Sequence, residues 1–227
     1  MRLNIEYNRL WSSPKSLWGG FPKLITSVLD PKPNKRILDV GCGLGILLKE
    51  FEKLNLDTYG IDISSKAIEL SKKNCKAKLK VANGEHIPYP KNYFDYVTSI
   101  GCLEHYDDTE KGIRELARVL KKEGKALVYV PNTFFIMDIL YVLFKGDVKL
   151  TTQKVNKTQT KEGWKRLIEK NGLKIISIQR NNVFGGLNLK TKKIRKIIYL
   201  LIQWMIPFNY SYSYIYICKK KVTNKEK

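Results

Sequence analysis

Apolar residues recur along this chain with two alternating periods. Short runs such as Ile37 and Leu38, closing on Val40, read as buried strands, and Leu44, Leu47, Leu48 and Phe51 then fall at helical spacing. Carried along the chain, the alternation predicts strands near 36–40, 57–61, 78–81, 94–100, 125–130, 173–181 and 211–218. It predicts helices near 45–54, 64–74, 109–121, 159–171 and 190–206. Strands alternating with helices imply an α/β fold, a doubly wound parallel sheet with helices on both faces. Ligands of such sheets bind outside the carboxyl ends of the strands. That rule gathers Asp39, Asp62, Asn83 and the segment after Ile100 around one cleft, from four different strands.

The first strand runs into a glycine turn, Gly41-Cys42-Gly43-Leu44-Gly45, and a helix follows. Glycines there let backbone approach a ligand closely and aim helix N-terminal amides at it. The competing reading is a turn that serves packing alone. Asp62, ending the second strand, is placed to accept from a ribose diol. A dinucleotide fingerprint wants its third glycine three residues after the second, and that position is Ile46, so a nicotinamide cofactor is disfavoured.

An acid followed by Gly-x-Gly-x-Gly and a helix, here Asp39 and the three glycines, resembles the first motif of the class I S-adenosylmethionine-dependent methyltransferases. The resemblance extends through Val81-Ala-Asn-Gly-Glu-His-Ile-Pro-Tyr-Pro90, Tyr93-Phe-Asp-Tyr-Val97, Leu103-Glu-His105, the helix from Arg114 to Lys121 and the strand from Gly124 to Val130. It covers residues 34–131 closely and the remainder in pattern, and it is nearest to the type 11 and quinone-biosynthesis-like small-molecule enzymes. It implies a Rossmann-like sheet of seven strands whose last strand, Tyr212 to Cys218, is antiparallel. S-adenosylmethionine is the implied cofactor. The amides of Gly41, Cys42, Gly43 and Gly45 would meet its carboxylate, Asp39 its amino group and Asp62 its ribose, with Ile63, Asn83, Gly84 and Ile100 around the adenine end. Asn83 stands where the family often has an aspartate, which exchanges a charged acceptor for a neutral one. The resemblance also suggests Glu104 and His105 as a catalytic pair, with His105 as proton acceptor because its unperturbed pKa lies near neutrality. The alternative is that both merely shape the loop over the cofactor. Two adjacent residues do not make a metal site, and none is expected.

Composition bounds the rest. At 227 residues, 43% hydrophobic and 28% charged, the chain suits one domain with a sizeable core. The expected division is a helical lead-in over 1–30, a cofactor-binding core over 34–131, a cleft-covering insert over 132–158, the C-terminal half of the fold over 159–218 and a basic tail over 219–227. The first residues lack the apolar segment of a secretory signal, and the apolar stretches around 134–144 and 197–208 are short for a bilayer span. Four scattered cysteines, at 42, 75, 102 and 218, read as reduced thiols. A cytoplasmic protein, in contact with a membrane surface at most, is therefore expected.

Net charge is the unusual bulk property, 42 Lys and Arg against 21 Asp and Glu, which favours anionic partners. Residues 145–227 hold 20 of those basic residues and only 4 acids. Since 34 of the 42 are lysine, a general lysine bias is the competing explanation. Two segments stand out. Pro131 to Gly146, apolar and aromatic, should overhang the cleft as part of an acceptor pocket, or pack as a short helix buried on the sheet. Lys190 to Pro207 reads as a basic amphipathic helix, which either covers the sheet or lies on an anionic membrane. Three functions follow in order: methyl transfer to a small or lipid-like acceptor, at oxygen; methylation of tRNA or another nucleic acid, which is less favoured; and a non-catalytic S-adenosylmethionine-binding scaffold that docks on a membrane.

Overall fold

A computed structural model describes residues 20–147, 157–182 and 205–221. Residues 1–19 of the expected helical lead-in, and the helix expected over 190–206 except its last two residues, lie outside the described residues.

Seven strands form one sheet in the order β3-β2-β1-β4-β5-β7-β6. These are β1 (Arg36–Val40), β2 (Asp57–Asp62), β3 (Lys78–Val81), β4 (Phe94–Ile100), β5 (Leu120–Pro131), β6 (Leu173–Asn181) and β7 (Ser213–Lys220). The first five strands pair in parallel, and β7 runs antiparallel to both β5 and β6. The order reverses between β1 and β4, the switch point at which open α/β sheets leave a crevice.

The helices are α1 (Phe21–Leu29), α2 (Ile46–Glu52), α3 (Ser65–Asn74), α4 (Thr109–Val119), α5 (Ile136–Lys145) and α6 (Lys161–Lys170). Three have side-chain caps that satisfy an otherwise orphaned first-turn amide. Ser64 accepts from Ala67 N–H, Asp108 from Lys111 N–H and Thr160 from Gly163 N–H. Alternation along each strand then divides the core. Leu38, Val40, Val97, Val128 and Tyr216 pack with Ile113 and Leu116 of α4 and Trp164 and Ile168 of α6. Ile37, Tyr96, Leu127 and Ile215 face the other way, against Ile25 and Leu29 of α1 and Phe51 of α2. A fully buried aliphatic side chain of this kind contributes roughly 1.5–3 kcal/mol.

Two segments differ from expectation. β5 begins at Leu120 because Phe94 pairs with Leu120 before the register shifts to Tyr96–Lys125. The polar Lys121, Lys122 and Glu123 sit on this irregular entry, where alternation offers no apolar face to read. The apolar insert does form a short helix, α5, but none of its residues is buried, so it does not pack down on the sheet. It is anchored at its base: Asn132 donates to the carbonyls of Asn209 and Ser211, and Phe135 sets its ring edge-on to Tyr212 at 5.4 Å.

Candidate functional site

Parallel pairing brings Asp39 beside Thr98, one strand across. The Thr98 hydroxyl donates to Asp39 Oδ1 at 2.7 Å. Asp39 is 3% exposed, and burial, with the nearby Asp62 charge adding, raises its carboxyl to about 7. Asp62, at the end of β2, accepts from the amides of Gly43 at 2.9 Å and Ser64 at 2.8 Å, one on each oxygen. Those two bonds lower its pKa but only partly offset the larger effect of burial, which raises it. Each Asp62 oxygen keeps a second lone pair for a ligand.

The glycine turn spends most of its amides on the fold. Gly41 and Cys42 N–H both donate to Ile61 O, Gly43 N–H to Asp62 and Gly45 N–H to Cys42 O. The expected row of outward amides from Gly41 to Gly45 is thus reduced, and among the described residues Leu44 N–H has no acceptor. Gly41 has φ +76°, and a Cβ there would stand 2.1 Å from Cys102 Sγ. Its first role is to admit that thiol, which donates to Val40 O and Ile100 O.

Across the cleft, Asn83 Oδ1 accepts from Glu85 N–H at 2.9 Å, leaving one acceptor lone pair and the NH2 group. The space that a side chain would occupy at Gly84 is filled by the Tyr106 ring, with its hydroxyl 1.9 Å from the ideal Cβ position. Glu85, buried, accepts from Asp107 N–H and so ties this loop to the start of α4. Ile63 is half-buried beside Asp62, and Ile100 ends β4 at 9% exposure. His86 is on the exposed side, against Lys111.

Glu104 lies in a 3-10 turn, Leu103–His105, directly beyond β4. It is 5% exposed, and its Oε2 is buried with no hydrogen-bond partner among the described residues. Burial raises its carboxyl to about 7, partly offset by its own backbone N–H. Its charge is felt at Cys102, Tyr106, Tyr129 and Tyr212, and both Cys102 and Tyr106 also feel Asp62. The Glu104 carboxyl therefore belongs to the same electrostatic neighbourhood as Asp62. His105 Nε2 is 3.9 Å from Glu104 Oε1.

Thr98, Tyr106 and Ser64 are the members of this site that sequence reasoning missed. Ser64 had a legible signal, a serine just ahead of an apolar-periodic helix. The other two act through pairings between distant segments.

Residues 38–128 match the model of a methyltransferase domain. The mouse (Mus musculus) protein named probable tRNA methyltransferase 9B is 31% identical over 113 residues, 48% of this chain and 25% of that one. The ubiquinone/menaquinone biosynthesis C-methyltransferase of Vibrio cholerae is 33% identical over 107 residues, 43% of this chain and 41% of its own length. The chain spans less than half the length of the curated relatives it matches. In fold it is similar to the YcgJ protein of Bacillus subtilis, with a TM-score of 0.61 at 18% identity over 89% of this chain and 98% of that one. The matched segment runs from β1 to β5 and carries both buried aspartates, so this part of the chain is similar to an S-adenosylmethionine-dependent methyltransferase domain.

Proposed function

We propose that this chain transfers a methyl group from S-adenosylmethionine to a small or lipid-like acceptor at oxygen, with Glu104 receiving the acceptor's proton. The observation that carries this reading is the buried, unpartnered Glu104 Oε2 at a carboxyl held near 7. A general base works best when its pKa lies near the operating pH, and Glu104 meets that condition by burial alone. We give the role to Glu104 in place of His105, the choice that residue type favours; His105 then serves as a positioning residue beside Oε1.

When bound, the cofactor supplies a methyl group on a positively charged sulfur. The residues present fit it. Asp62 offers its two remaining lone pairs to the ribose hydroxyls, and Leu44 N–H offers a donor to the carboxylate. Asp39 would hold the amino group, a cation that would return its carboxyl to the ionised form. Ile63 and Ile100 supply apolar surface, and Asn83 its free amide group. Positioning does most of the work in such a displacement, because the donor is already activated.

The two relatives above are named for tRNA and for carbon methylation, so kinship does not choose the acceptor atom; oxygen is the proposal's own choice, a hydroxyl being an acceptor that must lose a proton to a base such as Glu104. The 20 basic residues against 4 acids over 145–227 favour nucleic acid as the second reading. Labelled methyl transfer should be followed to lipid, quinone and tRNA fractions, with wild type, Glu104→Gln and His105→Ala. The proposal expects label in the lipid or quinone fraction, a steep loss in Glu104→Gln and a smaller one in His105→Ala. Label in tRNA alone, or full turnover by Glu104→Gln, would sink it.

A further inference from the structure

Helix α5 departs from an ordinary surface helix, which keeps its apolar stripe inward, because it is apolar on both sides: Ile136, Ile139 and Leu140 are half-buried, and a second apolar stripe faces out. Its outward stripe is Met137, Tyr141 and Phe144, at i, i+4 and i+7, exposed by 47%, 42% and 82%. Leu143, 73% exposed, and Val142 widen the stripe, and Phe134 extends it toward the sheet. The helix's one acid, Asp138, is on the half-buried side, where its charge is felt at Tyr212. At the same end of the sheet, the segment leading into β7 exposes Met205, Phe208 and Tyr210, held to the base of α5 through Asn132. Exposed apolar side chains gathered in this number at one end of a sheet mark an interaction site.

Charge selects the occupant. Residues 145–161, which follow the stripe directly, contain five lysines and one acid, Asp147. Lys145 ends the helix, the exposed Arg180 donates to Ile206 O, and the Lys161 ammonium, also paired with Glu162, lies 5.3 Å above the Phe208 ring. A second copy of a chain carrying a net charge of +21 would be repelled. Nucleic acid would meet the lysines but leave the apolar stripe in water. A bilayer surface with anionic headgroups satisfies both features, taking the stripe at the headgroup–acyl boundary and the lysines at the phosphates. The ten residues of α5 rise only about 15 Å, half the hydrocarbon thickness, so the helix lies on the surface.

We propose that α5, with Phe134 and the exposed residues at 205–210, docks this chain on an anionic membrane. The inference stands whether or not the methyl-transfer reading does. It extends the expectation of membrane contact through 190–206 to a different element, one whose exposure is described.

The test is co-sedimentation of the full chain with vesicles of phosphatidylcholine alone or mixed with phosphatidylglycerol. Wild type is compared with Leu143→Glu/Phe144→Glu, and with Leu54→Glu as a control at the opposite end of the sheet. The wild type should pellet with the mixed vesicles and weaken with salt. The double variant should lose at least about a hundredfold in partitioning, the worth of two large apolar side chains, with Leu54→Glu unchanged. Because both substituted positions are exposed, the thermal midpoint should hold. S-adenosylmethionine titration of the same samples should be unaffected, which separates failure of docking from failure of the cofactor site. Absence of wild-type binding, or equal binding by the double variant, would overturn the proposal. So would a marked drop in its thermal midpoint, which would mean that the chain's own residues cover the stripe. A wild-type dimer that the double variant dissociates would instead make the face a self-interface and would also overturn it.

Discussion

Glu104→Gln provides a stability measurement that needs no substrate. The carboxyl is raised from 4.5 to about 7 because it is buried with one oxygen unpartnered. A raised carboxyl favours the folded state fully below about 4.5 and loses that contribution as pH climbs through about 7. The loss corresponds to roughly 3 kcal/mol by pH 8. Gln has no such titration, and any cost of its own unpaired amide is independent of pH. Asp39 also titrates near 7, but it is present in both proteins and cancels in the difference. Urea unfolding of wild type and variant from pH 5 to pH 8 should therefore give stability curves that separate with pH. The variant should gain on wild type by between 2 and 3 kcal/mol over that range. Parallel curves would refute the reasoning, since they would mean that Glu104 titrates as an ordinary exposed carboxylate and has no special claim as a base.

Two further outcomes follow from the same geometry. Binding of S-adenosylmethionine at pH 7 should release a fraction of a proton, because its amino group would return the raised Asp39 carboxyl to the ionised form. Calorimetry in buffers of different ionisation enthalpy should detect that release, affinity should rise as pH climbs through about 7, and Asp39→Asn should abolish both effects. Gly41→Ala should destabilise by about 2–4 kcal/mol, because its Cβ meets Cys102 Sγ at 2.1 Å and its φ is +76°. Adding Cys102→Ala should recover the steric part, since the nearest remaining atom is Cys102 Cβ at 3.4 Å, and should leave about 1–2 kcal/mol of backbone strain in denaturant melts.

The sheet was largely legible because strands buried on both faces, such as Ile37 to Val40, leave a short apolar signal that survives without context. β1, β3, β4 and β6 fall where alternation puts them. What was not legible depends on three-dimensional partners. The glycine turn announces a tight bend, yet only the hydrogen bonds show that Ile61 O takes two of its amides and Asp62 a third. Residue type favoured His105 over Glu104, and the unpartnered Oε2 that motivates the proposal for Glu104 has no signature in the sequence. The apolar insert read equally well as a buried helix or a cleft cover, because hydrophobicity reports what a segment would bury and not whether anything lies against it. Gly84, expected at the adenine end of the cofactor, also makes room for the Tyr106 ring, a pairing with no local signature.

The central claim is that Asp62 and its surroundings hold S-adenosylmethionine. Calorimetric titration of wild type and Asp62→Ala tests it most directly, with thermal melts confirming that both are folded. Saturable one-to-one binding by wild type that disappears in Asp62→Ala is the predicted result. A folded wild type that takes up no S-adenosylmethionine, or a folded variant that binds it equally well, would contradict the account.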